Sequence, residues 1–206
     1  MKGKKEISEE VLSRLSAYLT VLARLEEQGQ TFTSSKKLGD ITGFTPALIR
    51  RDLSYFGDFG KQGKGYEISH LKKQISGIMN LTRVHPVLLV GAGNLGRALL
   101  GYQGFKHLGF EVCCVFDSDE RIIGKKFLSL EVHDVKRIED VNKKCNAKIG
   151  LITVPVSAAQ DVAERLIKAG ITCILNFAPA LLEVPPHIHV RNVDVARQLE
   201  ILAYYL

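Results

Sequence analysis

The sequence lacks the features of membrane and secreted proteins. No stretch of its 206 residues reaches the roughly 18 uninterrupted apolar residues that a membrane-spanning helix needs. The lysines near its start, Lys2, Lys4 and Lys5, are not followed by the apolar core of a secretion signal. Internal repeats and low-complexity segments are also missing. With 46% apolar and 24% charged residues, the sequence predicts a globular, cytoplasmic protein without a membrane partner.

Metal-binding patterns are missing too. The four cysteines show no C-x-x-C spacing, and three of them (Cys113, Cys114 and Cys173) lie in apolar, strand-like runs. This favours reduced, buried thiols, with thiol-based redox sensing as the alternative. His187 and His189 are expected to share one strand face, but no third ligand is near them in the sequence, so no metal site is predicted.

Positive charge is concentrated in one part of the chain. The net charge is +6, and residues 34–73 carry eight Lys/Arg against four Asp/Glu, whereas residues 1–33 carry five of each. A basic excess supports nucleic-acid binding only where the same stretch also provides a docking scaffold.

Residues 1–82 are predicted to provide that scaffold. An apolar stripe with spacings of four and three residues predicts a first helix that Gly29 ends; the stripe is Val11, Leu15, Tyr18, Leu22 and Leu25. Ser34 or Ser35 is expected to cap a short second helix that Gly43 ends. Ser69 is expected to cap a later helix, before the linker at 82–86.

The third helix has a strong start signal, an N-capping Thr45 followed by Pro46 in the first turn. It is expected to run to about Phe56. Two short helices joined by a tight glycine turn, with two arginines on the second, are typical of the helix-turn-helix, which would here lie within residues 18–56.

The glycine-rich segment 57–68 predicts a short hairpin, the wing of a winged helix. It would lay lysines along phosphates or into a minor groove; a loose basic surface loop is the alternative. The residues expected to contact DNA are Thr45, Ala47, Leu48, Arg50, Arg51, Ser54, Tyr55, Lys61 and Lys64.

Residues 83–192 are organised around a glycine-rich turn. The apolar strand from Val87 runs into Gly91, Gly93 and Gly96, the G-x-G-x-x-G pattern that lets backbone amides approach a pyrophosphate. A second apolar run delivers Asp117, 21 residues after Gly96, where a carboxylate would bind the adenosine ribose. A glycine turn that serves only packing is the alternative.

The rest of this region alternates strands and helices, which predicts a doubly wound parallel sheet, a Rossmann domain. The helix after the glycine turn is expected to run to about His107, and Ser157 with Gln160 predicts a capping box for a later helix. Ligands of such sheets lie at the carboxyl ends of strands. The residues expected to contact a dinucleotide are Gly91, Ala92, Gly93, Asn94, Leu95, Gly96, Tyr102, Phe105, Asp117, Thr153, Pro155, Asn176 and Phe177.

Residues 193–206 predict a terminal helix with an apolar stripe of Val195, Leu199, Leu202 and Leu206. The stripe would either dock on its own domain or form part of a dimer.

Taken together, these segments resemble the Rex family of redox-sensing transcriptional repressors over nearly the whole chain. The motifs that carry the resemblance are RRDLSYFGDFG at 50–60, GAGNLG at 91–96, TVP at 153–155, GITCILNFAPA at 170–180 and NVD at 192–194. The resemblance implies a homodimer with N-terminal winged helices, C-terminal Rossmann domains and an end helix packed into the partner subunit. It also implies that NADH, but not NAD⁺, releases the protein from a palindromic operator.

The resemblance further implies a polar switch between the first helix and the nucleotide domain, at Arg14, Tyr102 and Asp194. One departure concerns base readout: family members commonly carry glutamine where this chain has Leu48, which can touch a thymine methyl but cannot donate to a base edge.

Two other functions use the same glycine turn. An NAD-dependent oxidoreductase with a helical appendage would fit the Y-x-x-x-K formed by Tyr102 and Lys106, although this pair directly follows the glycine turn rather than lying near later strands. A CoA-binding module would use the phosphate cradle but would not need Asp117. The sequence favours the non-enzymatic repressor.

Overall fold

The computed structural model describes residues 7–61 and 63–206, with the side chain of Lys61 outside the description. It divides into two compact units, the first ending at Arg83 and the second beginning at Val84. Within the described residues, no helix combines the length and the apolar character needed to cross a bilayer.

The N-terminal unit is a winged helix, as predicted. Its elements are α1 (Glu9–Glu27), β1 (Phe32–Thr33), α2 (Ser35–Thr42), α3 (Pro46–Phe56), β2 (Gly60–Lys61), β3 (Gly65–Glu67) and α4 (Ile68–Ile78). The three strands form an antiparallel sheet in the order β1-β3-β2.

Local capping explains where α2 begins and ends and where α3 begins. The Ser34 hydroxyl accepts a hydrogen bond from the Lys37 amide, and the Thr45 hydroxyl accepts one from the Leu48 amide. Gly43 ends α2 with a φ of 79°, a conformation that glycine adopts without strain. The predicted cap at Ser69 is wrong: α4 begins at Ile68, and Glu67, two residues before Ser69, is at the N-cap position. The helices enclose one apolar core, whose fully buried members include Leu15, Leu22, Leu38, Ile49 and Leu71.

The C-terminal unit is an α/β domain. Its elements are β4 (His85–Val90), α5 (Asn94–Leu100), α6 (Gln103–His107), β5 (Phe110–Asp117), β6 (Lys126–Phe127), β7 (Leu130–Asp134), a 3₁₀ turn (Val135–Arg137), α7 (Ile138–Cys145), β8 (Ile149–Ile152), α8 (Val156–Lys168), β9 (Cys173–Asn176), β10 (His189–Asn192) and α9 (Val195–Ala203).

The sheet order is β10-β9-β8-β4-β5-β7-β6, and every pair is parallel except β6 with β7. Strand β4 is central, with β5 on one side and β8 on the other, so the strand order reverses there. In open parallel sheets this reversal opens a crevice at the carboxyl ends of the strands, which is where ligands bind.

Three expectations for this unit are wrong in detail. The helix after the glycine turn is interrupted: Tyr102 has an extended backbone, and its amide bonds to the Leu99 carbonyl, which closes the end of α5. Ser157 forms no capping box, because α8 begins at Val156 with Pro155 at the N-cap position. Finally, β10 begins at His189, so His187 lies before the strand rather than on its face.

Candidate dinucleotide site and DNA-binding surface

The glycine turn between β4 and α5 is packed tightly at two of its three glycines. A Cβ atom on Gly91 would lie 2.6 Å from the Thr153 carbonyl oxygen, and one on Gly96 would lie 1.9 Å from the Gly91 carbonyl oxygen. Gly91 also has a φ of 102°, which disfavours any other residue. In contrast, a Cβ on Gly93 would have no atom within 4 Å, and Gly93 is exposed. The turn is therefore tightly packed against the protein at Gly91 and Gly96, and it is open at Gly93, where the pyrophosphate of a dinucleotide would approach the protein backbone.

Asp117 ends β5 beside this turn, and backbone amides hold its carboxylate. One oxygen accepts a hydrogen bond of 2.6 Å from the Ala92 amide. The other accepts bonds from the amides of Ser118 and Asp119, at 2.7 and 2.9 Å. The two carboxylate oxygens offer about four acceptor sites, and these amides occupy three of them, so the group keeps capacity for one ribose hydroxyl. The structure thus brings Asp117 together with the turn, as the sequence predicts.

Thr153 joins the next strand to the same turn. It directly follows β8, and its hydroxyl lies 3.0 Å from the Val90 carbonyl oxygen and 2.7 Å from the Gly91 carbonyl oxygen. Its amide also donates to Val90. The carboxyl ends of β4, β5 and β8 are thereby fixed relative to one another. Asn94 and Leu95 are exposed at the start of α5, and Ala92 is buried.

The end of β9 is held by a buried amide. Asn176 is fully buried; its side-chain nitrogen donates to the carbonyls of Ala178 and Ala180 and to the Asn192 side chain, and its oxygen accepts from the Ala178 amide. These bonds order the loop that carries Phe177, which is partly buried. Pro155, after β8, is exposed.

Two predicted contacts lie elsewhere in the unit. Tyr102 and Phe105 pack edge to face, with ring centres 5.2 Å apart, and line a shallow groove with Phe110 and Val112 at the amino end of β5. Asp117 lies at the opposite end of that strand. Lys106 lines the same groove, so the Tyr102–Lys106 pair is not beside the glycine turn of its own chain.

The predicted DNA-contacting residues lie largely at the surface of the N-terminal unit. The exposed ones are Thr45, Ala47, Arg50, Arg51, Ser54, Tyr55 and Lys64, and Leu48 is partly buried. Arg50 is oriented by a hydrogen bond of 3.0 Å to the Ser35 hydroxyl, and Tyr55 packs on Phe56. Lys61 is the predicted contact whose side chain falls outside the described part.

Sequence reasoning missed the group that fixes the recognition helix α3 to α1. The carboxylate of Asp52, 3% exposed, accepts two hydrogen bonds from Arg14, at 2.6 and 2.8 Å, and one of 2.9 Å from the Tyr18 hydroxyl. Burial raises the pKa of Asp52, but the bonds from Arg14 and Tyr18 outweigh it, and the pKa lies below its usual value. The signal was present: an aspartate beside the apolar positions Ile49 and Leu53 occupies a core position.

The three predicted switch residues differ in their contacts and exposure within their own units. Arg14 pairs with Asp52. Tyr102 is 59% exposed. Asp194 caps α9, where its side chain accepts a hydrogen bond of 3.0 Å from the Arg197 amide.

Comparison with known proteins matches both parts of the chain to known families. A family model described as a CoA binding domain matches residues 82–180, and one described as a putative DNA-binding protein N-terminus matches residues 6–54. The chain is 43% identical to the redox-sensing transcriptional repressor Rex of Pelotomaculum thermopropionicum, over 100% of this chain and 96% of that protein. It is 45% identical to the Rex of Carboxydothermus hydrogenoformans, over 99% and 98% of the two chains.

Two solved structures of RSP, a Rex-family repressor, are also similar. The complex of RSP with β-NAD⁺ and operator DNA superimposes with a TM-score of 0.92 at 36% identity, covering 98% of this chain and 93% of that one. The complex of RSP with β-NADH gives a TM-score of 0.88 at 34% identity, covering 98% and 95%.

Proposed function

Because the chain belongs to the Rex family of redox-sensing transcriptional repressors, we propose that it represses transcription by binding operator DNA and that NADH releases it. The observation that carries this proposal is the combination of an exposed, arginine-bearing recognition helix in one unit with the Asp117–glycine turn in the other. The solved relative RSP binds NADH, and it also binds NAD⁺ together with operator DNA. A repressor of this kind works in the cytoplasm, where the chromosome lies.

The dinucleotide fits the C-terminal unit. Gly93 leaves room for the pyrophosphate, and the Asp117 carboxylate would bind a ribose hydroxyl and repel a 2′-phosphate, which selects NAD over NADP. Asp117 also distinguishes this site from a CoA site, which would not need that carboxylate.

Discrimination between NADH and NAD⁺ requires contact with the nicotinamide, because the two forms differ only there. The oxidised ring is a cation and the reduced ring is neutral, so an apolar pocket favours NADH. Pro155 and Phe177, which follow β8 and β9, are the candidates for its walls. In their own chain Tyr102 and Phe105 line the groove at the other end of β5, so a nicotinamide contact from them would come from the partner subunit.

Coupling between NADH binding and DNA binding depends on a difference in the affinity of NADH for two arrangements of the dimer. NADH weakens DNA binding only if it binds one arrangement of the dimer better than another. A 100-fold loss of DNA affinity needs about 2.7 kcal/mol of differential binding. Arg14, Tyr102 and Asp194 are the proposed switch contacts; alanine at Asp194 should then reduce the effect of NADH on DNA binding.

Calorimetric titration with NADH, NAD⁺, NADPH and CoA tests the dinucleotide site. We expect NADH to bind most tightly and CoA to give no heat of binding at micromolar protein. Tight CoA binding would contradict the proposal, as would turnover of a hydroxy-acid or aldehyde substrate, because the proposed protein is a sensor without catalytic activity.

The terminal helix supports a homodimer. None of the residues of α9 is buried, and Val195, Leu199 and Leu202 are 59–67% exposed. An apolar stripe left open by its own domain is typical of a dimer element. A twofold dimer also predicts a palindromic operator with half-sites one or more helical turns apart.

Replacing Leu199 with aspartate should dissociate this dimer, because a charge at the buried centre of an interface is left unpaired. Analytical ultracentrifugation should then give the monomer mass of 22.8 kDa instead of twice that value. The matched control is Glu200→Ala, on the same helix but outside its apolar stripe, which should stay dimeric. If the Leu199→Asp protein remains dimeric, α9 is not part of the dimer interface.

The recognition surface predicts a defined salt response. Replacing Arg51 with alanine should lower the slope of log affinity against log salt by about one, as expected for one lost phosphate contact. Lys143→Ala, which removes an exposed cation of the C-terminal unit, is the control and should leave the slope unchanged. Equal slopes for both variants would exclude Arg51 from the DNA contact.

A further inference from the structure

Three cysteine sulfurs come together inside the C-terminal unit, on the sheet face that α7 and α8 cover. The Sγ atoms of Cys113, Cys114 and Cys145 all lie within 4.8 Å of one another, and those of Cys114 and Cys145 are 2.9 Å apart. Cys114 is 6% exposed, and the other two are partly buried. Since a disulfide bond is about 2.05 Å long, Cys114 and Cys145 need a displacement of less than about 1 Å to form one.

A β-bulge produces this cluster. Cys113 and Cys114 are consecutive on β5, and consecutive side chains of a regular strand point to opposite faces. In the pairing of β4 with β5, however, Val87 pairs with Val112 and Leu88 with Cys114, so that Cys113 is an extra residue. A bulge re-aims the side chain it carries. Both thiols therefore face Cys145, at the end of α7.

The surroundings favour a disulfide over a metal site. The neighbours of the cluster are apolar side chains, among them Leu88, Phe116 and Ile138. Three thiolates around one metal ion would carry a net negative charge in this core, which is costly to bury. A disulfide has no charge.

The thiols also differ in reactivity. A hydrogen bond with Cys114 lowers the pKa of Cys113 and raises that of Cys114, and Cys113 is also less buried than Cys114. Burial raises the pKa of Cys145. The thiolate is the form that attacks a peroxide.

We propose that a peroxide oxidises Cys114 and Cys145 to a reversible disulfide, with Cys113 as the thiol that first reacts. Cys113 first loses its thiol proton; its thiolate attacks one peroxide oxygen, the O–O bond breaks, and a sulfenic acid and a hydroxide ion form. The hydroxide takes up the proton that Cys113 released, which gives water. The Cys145 thiol then attacks the Cys113 sulfur and expels a second water.

The last step is an exchange. Cys114 attacks Cys145, displaces Cys113, and the proton of Cys114 passes to Cys113. The net reaction takes two electrons from two thiols, reduces one peroxide to two waters, and returns Cys113 to its starting state. The crosslink joins β5 to α7, and Cys114 lies three residues before Asp117. The nucleotide domain would thus respond to peroxide by a reaction that is chemically separate from NADH binding. This inference does not rest on the proposed function.

Thiol counting and peptide mapping of the full chain test this inference. After treatment with hydrogen peroxide and alkylation with N-ethylmaleimide, two of the four thiols should be lost, and dithiothreitol should restore both. Trypsin cleaves after Lys144 and Lys106, so the disulfide should join the peptide 145–148 to the peptide 107–121, in which Cys113 carries the alkyl group. Fragmentation of that peptide distinguishes Cys113 from Cys114.

Single serine variants provide the controls. Cys145→Ser and Cys114→Ser should form no Cys114–Cys145 crosslink, whereas Cys173→Ser, outside the cluster, should lose two thiols as the wild type does. Cys113→Ser should form the crosslink at least 10-fold more slowly. A wild-type protein that keeps all four thiols, forms a disulfide between chains, or ends with Cys113 in the disulfide would overturn the proposal.

Discussion

Replacing Asp117 with arginine is expected to weaken NADH binding by about 10- to 100-fold and to make NADPH the preferred dinucleotide. The wild-type carboxylate would accept a hydrogen bond from a ribose hydroxyl, and a hydrogen bond to a charged group contributes about 1.5–3 kcal/mol. The loss of one such bond corresponds to this change in affinity. Arginine at the same position would pair with the 2′-phosphate of NADPH, which the wild-type carboxylate repels.

Calorimetric titration of both dinucleotides gives the comparison. Asp117 also accepts hydrogen bonds from the amides of Ala92, Ser118 and Asp119, and the substitution removes them. The melting temperature of the variant must therefore be recorded to show that the domain remains folded. Glu120→Gln removes an exposed carboxylate of the same loop and should leave NADH affinity unchanged. A folded Asp117→Arg protein with wild-type affinity for NADH would show that Asp117 does not bind the ribose.

The second large effect concerns the helix that would read DNA. Asp52→Ala leaves the largely buried Arg14 guanidinium and the Tyr18 hydroxyl without their shared acceptor, and removing one partner of a buried ion pair costs about 3–5 kcal/mol. At about 3 kcal/mol, the melting temperature of the N-terminal unit should fall by roughly 12–24 °C. Since the pair connects α1 to α3, operator affinity should fall with it.

Two further variants separate the ion pair from side-chain volume and surface charge. Asp40→Ala, which removes an exposed carboxylate from α2, should shift the melting temperature by no more than a few degrees. The double variant Arg14→Met, Asp52→Leu should be more stable than Asp52→Ala, because no charge is left unpaired. A melting temperature of Asp52→Ala within a few degrees of wild type would mean that the pair contributes little to stability.

The same pair predicts an acid-sensitive N-terminal unit. The pKa of Asp52 is lower in the folded state than in the unfolded chain, so its contribution to stability is complete above the unfolded pKa and is lost as the pH falls through the folded pKa. Thermal melts between pH 5 and pH 2 should show a steeper loss of stability for wild type than for the double variant. Parallel curves would contradict this assignment.

The local features of both units could be predicted from the sequence. The Thr45–Pro46 start of α3, the glycine turn and the carboxylate at the end of β5 depend on a few neighbouring residues, and each is where the sequence placed it. Features that depend on distant parts of the chain could not. The predicted capping box at Ser157 is wrong because α8 begins earlier, at Val156 with Pro155 at the N-cap position, and the Gln160 side chain bonds instead to the backbone of Glu183.

The thiol cluster and the Asp52 network show the same limit. Alternation along a strand places Cys113 and Cys114 on opposite faces, and only the register of β4 against β5 reveals the bulge that unites them. Similarly, the aspartate at a core position of α3 is visible in the sequence, but its partner Arg14 lies 38 residues earlier on α1 and is identified only in the folded structure.

The central claim is that one protein binds an operator and responds to the redox state of a nicotinamide. Its most direct test is the affinity of the wild-type dimer for a palindromic operator, selected from a random library in the presence of NAD⁺ and measured by fluorescence anisotropy at saturating NADH and at saturating NAD⁺. We expect binding to be about 100-fold weaker with NADH, a difference of about 2.7 kcal/mol. Equal affinity with the two forms of the coenzyme would contradict the account.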